Sequence, residues 1–521
     1  MSSTTPAISQ TKDIRKIIVG SSVSTLIEWY DFYIYGSLAT AIAGQFYPQS
    51  NPTAALLATL ATFAAGFIVR PFGALVFGRL GGLIDRKYTF LLSLIIMGAS
   101  TFAIGLIPGY AQVGFAAPAL VLLLRLLQGL ALGAEYGGAA TYVAEHAPDH
   151  RRGFFTSWIQ AMPTAGLFVG LGVILLVRHG LDPDSGRSVE KFNAWGWRIP
   201  FLLSIVLVAI PVYIRLRMLE SPLFQRLGNE GMPSAKPLTD SVVRKKNWKI
   251  ALLALFGVIM GQGVVFYTGE FYTQSFLETV CNIDFDQSKT MLLLAILPAM
   301  PFFVLFGSWS DRIGRKWIML GGVLLAVLTY PYLFKELLTI PGIEGRTELT
   351  ASKEILSTVS FIGKGKDIVH TSNTISHYDG GLTVTETAKD TIYASGKTPT
   401  TKPLVTSSRT VSGADYWKMV GILFLMVFYV TMIYGPIAAY LVELFPARIR
   451  HTSMSLPFHL GNGIIGGMTP FVATLLTTIY TGNKLAGLWY PMGIAGICLV
   501  IGAIYIPFRP EGGKLGEKQK A

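Results

Sequence analysis

The 521-residue chain is 51% hydrophobic and only 14% charged, with a mean hydropathy of +0.50, whereas soluble chains carry about 25% charged residues. Its net charge of +13 is not gathered in a basic domain but scattered through short loops between apolar runs, which argues against a nucleic-acid partner and for a lipid bilayer. Two cysteines, Cys281 and Cys498, and seven histidines without close pairing exclude a disulfide framework and a metal motif, and no cofactor is implied.

A membrane span needs roughly 20 apolar residues. Such runs occur at 18–45, 54–77, 89–108, 117–144, 154–178 and 198–217, and again at 249–276, 288–308, 317–338, 416–440, 452–480 and 486–508. They predict an all-α membrane protein with twelve transmembrane helices. The first run lacks a small-residue cleavage site and is expected to stay as a helix. Lysine and arginine crowd the segment before span 1 (Lys12, Arg15, Lys16) and the connections after span 2 (Arg79, Arg86, Lys87) and span 4 (Arg151, Arg152). They crowd those after span 6 (Arg226, Arg244), span 8 (Arg312, Arg315, Lys316) and span 10 (Arg448, Arg450) as well. The turns at 46–53 and 109–116 carry none, and the 179–197 loop is mixed. This asymmetry predicts a multi-pass protein of the bacterial inner membrane with both termini in the cytoplasm.

The two sets of spans are related by an internal repeat. Gly78, Arg86 and Lys87 after span 2 recur as Gly307, Arg315 and Lys316 after span 8, at an offset of 229. Glu145, Pro148 and Arg152 recur as Glu443, Pro446 and Arg450, at an offset of 298. The 69 extra residues between the two motifs place an insertion at about 341–409, a polar stretch rich in Thr, Ser, Gly and Lys in which short strands or hairpins are expected. By topology it lies on the periplasmic side, either as a surface decoration or with a part in gating or partner binding. The expected organisation is an N-terminal six-helix half (1–217), a cytoplasmic linker (218–248) and a C-terminal six-helix half (249–521). Two such halves suit an alternating-access carrier with its site between them, near the midplane.

Several motifs resemble the major facilitator superfamily (MFS) and, within it, the metabolite:proton symporter family. They are EWYDFYIYG at Glu28–Gly36, RPFG at Arg70–Gly73, RLLQG at Arg125–Gly129 running into GAEYGG at Gly133–Gly138, ESPLF at Glu220–Phe224 and GQGVVFYTG at Gly261–Gly269. The resemblance covers nearly the whole chain except 341–409. It implies the MFS fold and a carrier in a class that spans oxoacids, di- and tricarboxylates, shikimate-like acids, proline and betaine. The family's loop motif, Gly-x-x-x-Asp-Arg-x-Gly-Arg-Lys, is intact at Gly307–Lys316 with Asp311 and Arg315, whereas the first-half copy at Gly78–Lys87 has Gly82 at the acidic position and Asp85 three residues later. The resemblance implies that the aspartate meets a helix N-terminus and arginines across the half-interface. In the first half, either the latch is weakened or Asp85 substitutes. Glu270 stands where similar sequences are expected to carry glutamine.

An ionisable group at the centre of a span costs at least about 2.5–3.5 kcal/mol, so it needs a partner or a wet cavity. Glu28, Asp31, Arg70, Arg125, Glu135 and Glu270 form this short list. Glu28 and Asp31 share one face of span 1, and the resemblance implies that span 4, with Arg125, packs nearby. An Asp31–Arg125 pair is therefore expected, either as the proton-coupling element, with Glu28 and Glu270 as further candidates, or as a static ion pair. Glu135, Glu145, Arg152, Glu220, Asp85, Arg86, Asp311 and Arg315 are assigned to a cytoplasmic gating network. Arg70 either anchors that network or attracts an anionic substrate. Gln262 and Tyr267 in the glycine-broken span 7, His459 and Asn462 in span 11, and Tyr30 and Tyr33 beside Asp31 are candidate substrate contacts, with close helix packing as the alternative for each.

The expected function is secondary active symport of a small carboxylate or zwitterion with protons, by a protein expected to be monomeric. The alternatives are a facilitator or drug/proton antiporter on the same fold, or a transporter-like membrane sensor. Against antiport, MPTAGLFVG at Met162–Gly170 lacks the Gly-Pro-x-x-Gly-Gly signature of that class. With no nucleotide loop, metal set or nucleophile–base arrangement, an enzyme is not expected.

Overall fold

A computed structural model of the chain describes residues 7–83, 86–133, 136–181, 188–217, 245–349, 353–362, 367–392, 404–445 and 450–508. Twelve helical rods run back and forth. In the first half they are α1 (Ala7–Ser37, continued by Ala39–Phe46), α2 (Pro52–Ile68 and Arg70–Leu83), α3 (Arg86–Leu106), α4 (Ala116–Leu132 and Tyr136–His146), α5 (Arg152–Gly180) and α6 (Ile199–Arg217). In the second half they are α7 (segments from Lys245–Ala254 to Thr273–Thr279), α8 (Phe285–Ile313), α9 (Lys316–Thr339), α10 (Gly413–Leu444), α11 (Arg450–Phe458, His459–Gly466 and Thr469–Ile479) and α12 (Trp489–Tyr505). Nine stretches among the described residues meet the length and hydropathy of a span on their own. Leu91–Leu106 in α3 and Ala116–Leu132 in α4 are shorter apolar stretches, and α1 carries Glu28 and Asp31 in mid-helix.

The surface fits a bilayer. Large apolar side chains such as Phe72, Ile95, Leu123, Val206, Leu297, Leu328 and Val500 point outward, an arrangement that water would not tolerate over so wide an area. Exposed tryptophans form two belts: Trp158, Trp248, Trp309 and Trp317 near one end of the bundle, Trp195, Trp417 and Trp489 near the other. Such amphipathic rings settle at the two membrane interfaces.

The halves meet along α5 and α8, whose crossing needs glycine. A Cβ on Gly153 would overlap the carbonyl oxygen of Gly307, and one on Gly307 would overlap Ser157. Here the backbones approach as small residues allow in lipid, where packing rather than water drives helix association. α7 and α11 are interrupted by π-helical turns (Leu255–Ile259, Thr268–Tyr272 and His459–Gly466), features that concentrate at functional sites.

The polar stretch between α9 and α10 folds as a four-stranded antiparallel meander: β1 (Glu354–Ile362), β2 (Asp367–Tyr378), β3 (Leu382–Ile392) and β4 (Leu404–Val411), paired in that order. Tyr378 pairs with Leu382 around a turn in which Gly380 and Gly381 both have positive φ, a conformation glycine adopts without steric cost. The strands alternate Thr and Ser with Val and Ile, the pattern of a pleated surface exposed on one side. The sheet sits at one end of the bundle. The loop between α8 and α9, with Asp311 in the last turn of α8 beside it, lies at the other.

Candidate functional site

At the Asp311 end, the carboxylate caps the N-terminus of α5 from the other half. Gly153 N donates to Asp311 Oδ1 at 2.7 Å and Phe154 N donates to Oδ2 at 2.9 Å. Free N–H groups and the helix dipole favour a negative charge there. Arg315 Nη2 bridges Asp311 Oδ1 (3.2 Å) and Glu443 Oε1 (2.5 Å), and buried Arg152 reaches Glu443 at 3.7 Å and pairs with Asp149. The intact loop motif thus places its aspartate on the N-terminus of a helix of the other half, the contact that its resemblance implied. Of the expected gating residues, Asp311, Arg315 and Arg152 come together. Glu145 lies on the second segment of α4, while its repeat equivalent Glu443 supplies the acid, a residue the repeat itself pointed to. Asp85, Glu135 and Glu220 lie outside the described residues, as does the side chain of Arg86.

Arg70 does not join this latch; its side chain is buried inside the bundle. Its guanidinium lies over Phe67, Phe32 and Trp29 at 4.1, 4.5 and 5.0 Å, with Tyr33, Tyr267 and Tyr434 around it. It is 1% exposed; Nε and Nη2 have no hydrogen-bond partner, and no carboxylate stands within 4 Å among the described residues. Arg70 is on the wall of a small cavity between the halves, shared with Thr25, Glu28, Trp29 and Gln160 from one half and Tyr434, Phe458 and His459 from the other.

The expected Asp31–Arg125 ion pair is not formed. Ser204 Oγ donates to Asp31 Oδ1 at 2.6 Å, so Asp31 faces α6. Phe32, one residue and 100° of helical turn later, faces α4. Arg125 Nη1 donates to the Phe32 carbonyl (3.2 Å) and to Gln128 Oε1 (2.8 Å), and its guanidinium lies over Phe32, Tyr35 and Phe63. Glu270, also fully buried, accepts from Thr164 Oγ1 at 2.7 Å across the half-interface.

The other substrate candidates divide. His459 lines the cavity. Tyr33 packs on Phe266 and Phe271, and Tyr267 on Phe67, so both belong to an aromatic layer joining the halves beyond the cavity. Tyr30 OH donates to the Pro200 carbonyl at 2.8 Å, and Asn462 Nδ2 donates to Gln262 Oε1 at 2.8 Å. Those three side chains therefore hold helices together and do not face the cavity. Beyond the aromatic layer, Arg178 pairs with Asp286 across the halves (2.6 Å), Lys289 pairs with Glu278 (2.6 Å), and Thr40 donates to Glu278 across the halves (2.9 Å). Sequence reasoning missed this second closure because Arg178 and Lys289 sit at span ends, where long cations ordinarily snorkel to the interface.

The geometry agrees with comparisons to known proteins. Residues 16–240 match the family model described as "Sugar (and other) transporter". The chain is 30% identical over 490 residues to the inner membrane metabolite transport protein YhjE of Escherichia coli (strain K12), covering 93% of this chain and 92% of that one. It is 29% identical over 521 residues to the citrate-proton symporter of Salmonella typhi, covering 100% of both. Similarity to the proline/betaine transporter of Salmonella typhimurium (strain LT2) is 35% over 327 residues, 61% of this chain, so the chain spans 64% of that relative's length. The crystal structure of a D-xylose-proton symporter superimposes with a TM-score of 0.62 at 15% identity, covering 96% of this chain and 99% of that one, a likeness of fold. With its twelve helices in two halves and this full-length similarity, the chain belongs to the metabolite:proton symporter family of the major facilitator superfamily, a family of membrane transporters and not of enzymes.

Proposed function

We propose that this protein is a secondary active symporter that carries a small organic carboxylate or zwitterion across the bacterial inner membrane together with protons, by alternating access. Arg70 carries the proposal. A guanidinium buried at a cavity wall, without a carboxylate partner among the described residues, is costly in a membrane, and a ligand carboxylate arriving there offsets that cost through charge-assisted hydrogen bonds. Glu28, Trp29 and Tyr434 share the cavity, giving a zwitterion a second, cation-attracting pole. Citrate and proline/betaine, for which two of the relatives are named, belong to this class.

Protons are assigned to Asp31 and Glu270. Each is fully buried, and each holds a hydroxyl on one oxygen while the other has no partner. Protonation removes a charge from the membrane interior without breaking an ion pair. For Glu270 it also alters a hydrogen bond between the halves, so proton occupancy and half-to-half contact are linked. The Asp311 end is assigned to the cytoplasm on its lysines and arginines, with both termini on that side. The halves at 1–217 and 249–521 are assigned as the moving bodies of a monomer.

Proteoliposome uptake of labelled carboxylates and betaines under an imposed pH gradient tests this function. Accumulation should require the gradient or the voltage, and Arg70→Ala should raise KM by about a hundredfold, the loss of a charge-assisted pair. Uptake that persists unchanged after both gradients collapse would rule out symport. An unaltered KM in Arg70→Ala would remove Arg70 from the binding site.

A further inference from the structure

The inserted sheet is fastened to the transporter at one place above all: the turn between α7 and α8. Backbone bonds run both ways, Arg409 N to Asn282 O (2.7 Å) and Asp284 N to Arg409 O (2.9 Å), so β4 pairs with the turn at Ile283. One turn further, the Gln287 side chain grips the end of β4 twice, donating to Val411 O (2.8 Å) and accepting from Val411 N (2.9 Å). Ile283, Leu382, Val384 and Val411 are buried at this end of the sheet. Asn282 has φ of 56°, the only non-glycine residue with positive φ among the described residues. Asn is among the few residues that tolerate it, and the strand fixes it there.

The same short segment carries the second closure. Phe285 lies beneath the Arg178 guanidinium at 4.7 Å, Asp286 pairs with Arg178, and Lys289 holds Glu278, which Thr40 of the other half contacts. Asp286 and Lys289, three apart, share a face of the first turn of α8, and Gln287 is directed to the sheet. A second anchor lies at the β2–β3 turn. Arg346, in the connection from α9 to β1, donates from Nη1 to Asp379 O (2.7 Å), while its Nη2 pairs with Asp415 at the start of α10 (2.7 Å) and donates to Ile340 O (2.9 Å); Arg409 Nη1 also donates to Pro341 O (2.8 Å). The sheet therefore ties the α7–α8 turn to the ends of α9 and α10.

We propose that this sheet is a brace for the gate at its end of the bundle. By fixing the α7–α8 turn against the α9 and α10 ends, it positions Asp286 and Glu278 to close on Arg178 and Thr40, and so sets how readily that gate opens. Gln287 and Arg346 are its positioning residues. Glu278 and Asp286 stand in the last turn of α7 and the first turn of α8, on either side of the held segment, and helix ends open locally more readily than helix interiors. The brace acts on the gate whatever metabolite is carried.

The test uses full-length protein in nanodiscs with Cys281 and Cys498 replaced by Ser. Spin labels go on exposed Thr53 (first half) and Thr279 (second half), and distances are read by double electron–electron resonance. Arg178→Ala should raise the open-to-closed ratio roughly fivefold, and Gln287→Ala about as much, the scale of one or two net hydrogen bonds. Arg346→Ala, which loosens the second anchor without touching the gate turn, should move it in the same direction. The proposal is overturned if Arg178→Ala opens the gate while neither Gln287→Ala nor Arg346→Ala does, or if none of the three changes the distances. A lower melting temperature without longer distances would assign the sheet a purely structural part and also overturn it. The readout needs neither substrate nor proton, so it succeeds or fails independently of the transport assay.

Discussion

At the Asp311 end, a carboxylate in the last turn of α8 meets the N-terminus of α5, and Arg315, Glu443 and Arg152 complete the closure from helix ends and their flanks. At the sheet end, the seam closes on Arg178–Asp286 and Thr40–Glu278, with the acids beside a turn and a folded sheet behind them. The difference is one of support. Each latch takes an acid from one end of α8, Asp311 from its last turn and Asp286 from its first. Among the described residues, only at the sheet end does a folded insertion also bond to the adjoining turn. Between the two lies the cavity, with Arg70 on its wall and Asp31 and Glu270 nearby, so closure at both ends leaves a compartment in the middle.

Breaking the first latch should have the largest effect. Asp311→Asn removes the charge from the α5 N-terminus and from Arg315. It is expected to cost about 3 kcal/mol of closure, about a hundredfold in the open-to-closed ratio at that end, read by spin labels on His150 and Ile313. Next comes the seam: Gly307→Ala places a methyl group against Ser157 and the Gly153 carbonyl and should cost about 2 kcal/mol through overpacking, seen as a lower melting temperature and a longer distance at the Asp311 end only. Thr164→Val removes the donor to Glu270 while keeping shape. It should cost about 1.5 kcal/mol by leaving a buried acceptor bare, and it should alter the pH dependence of uptake more than its magnitude at saturation. The smallest effect belongs to Arg178→Ala, about 1 kcal/mol, because Asp286 remains partly solvent-exposed and water screens the pair. A larger effect for Arg178→Ala than for Asp311→Asn would reverse the comparison between the ends.

Much of this architecture is legible in the chain. Apolar runs mark the helices because lipid admits no polar substitute, and two repeat offsets that disagree by 69 residues locate the insertion, whose alternating Thr, Val and Ile then pair as strands. The Asp311 latch is legible as a motif. The partner of Asp31 is not, since one residue of helical phase decides whether a side chain meets Ser204 on α6 or Arg125 on α4. The Gln262–Asn462 bond joins positions 200 residues apart, and no local pattern announces it. Arg178, Lys289 and Glu278 look in sequence like ordinary span-end charges; only the folded turn brings them to the seam. Arg70 is visible as a buried cation, but which residues of the other half line a cavity with it is decided only by the packing of the two halves.

On the proposed reading, two separately built gates flank one cavity and open in alternation. The most direct measurement is the pair of distances, His150–Ile313 at one end and Thr53–Thr279 at the other, taken on the same Asp311→Asn protein. A longer distance at the Asp311 end with the sheet end still closed is the expected result; lengthening at both ends together, or at the sheet end alone, would overturn alternation.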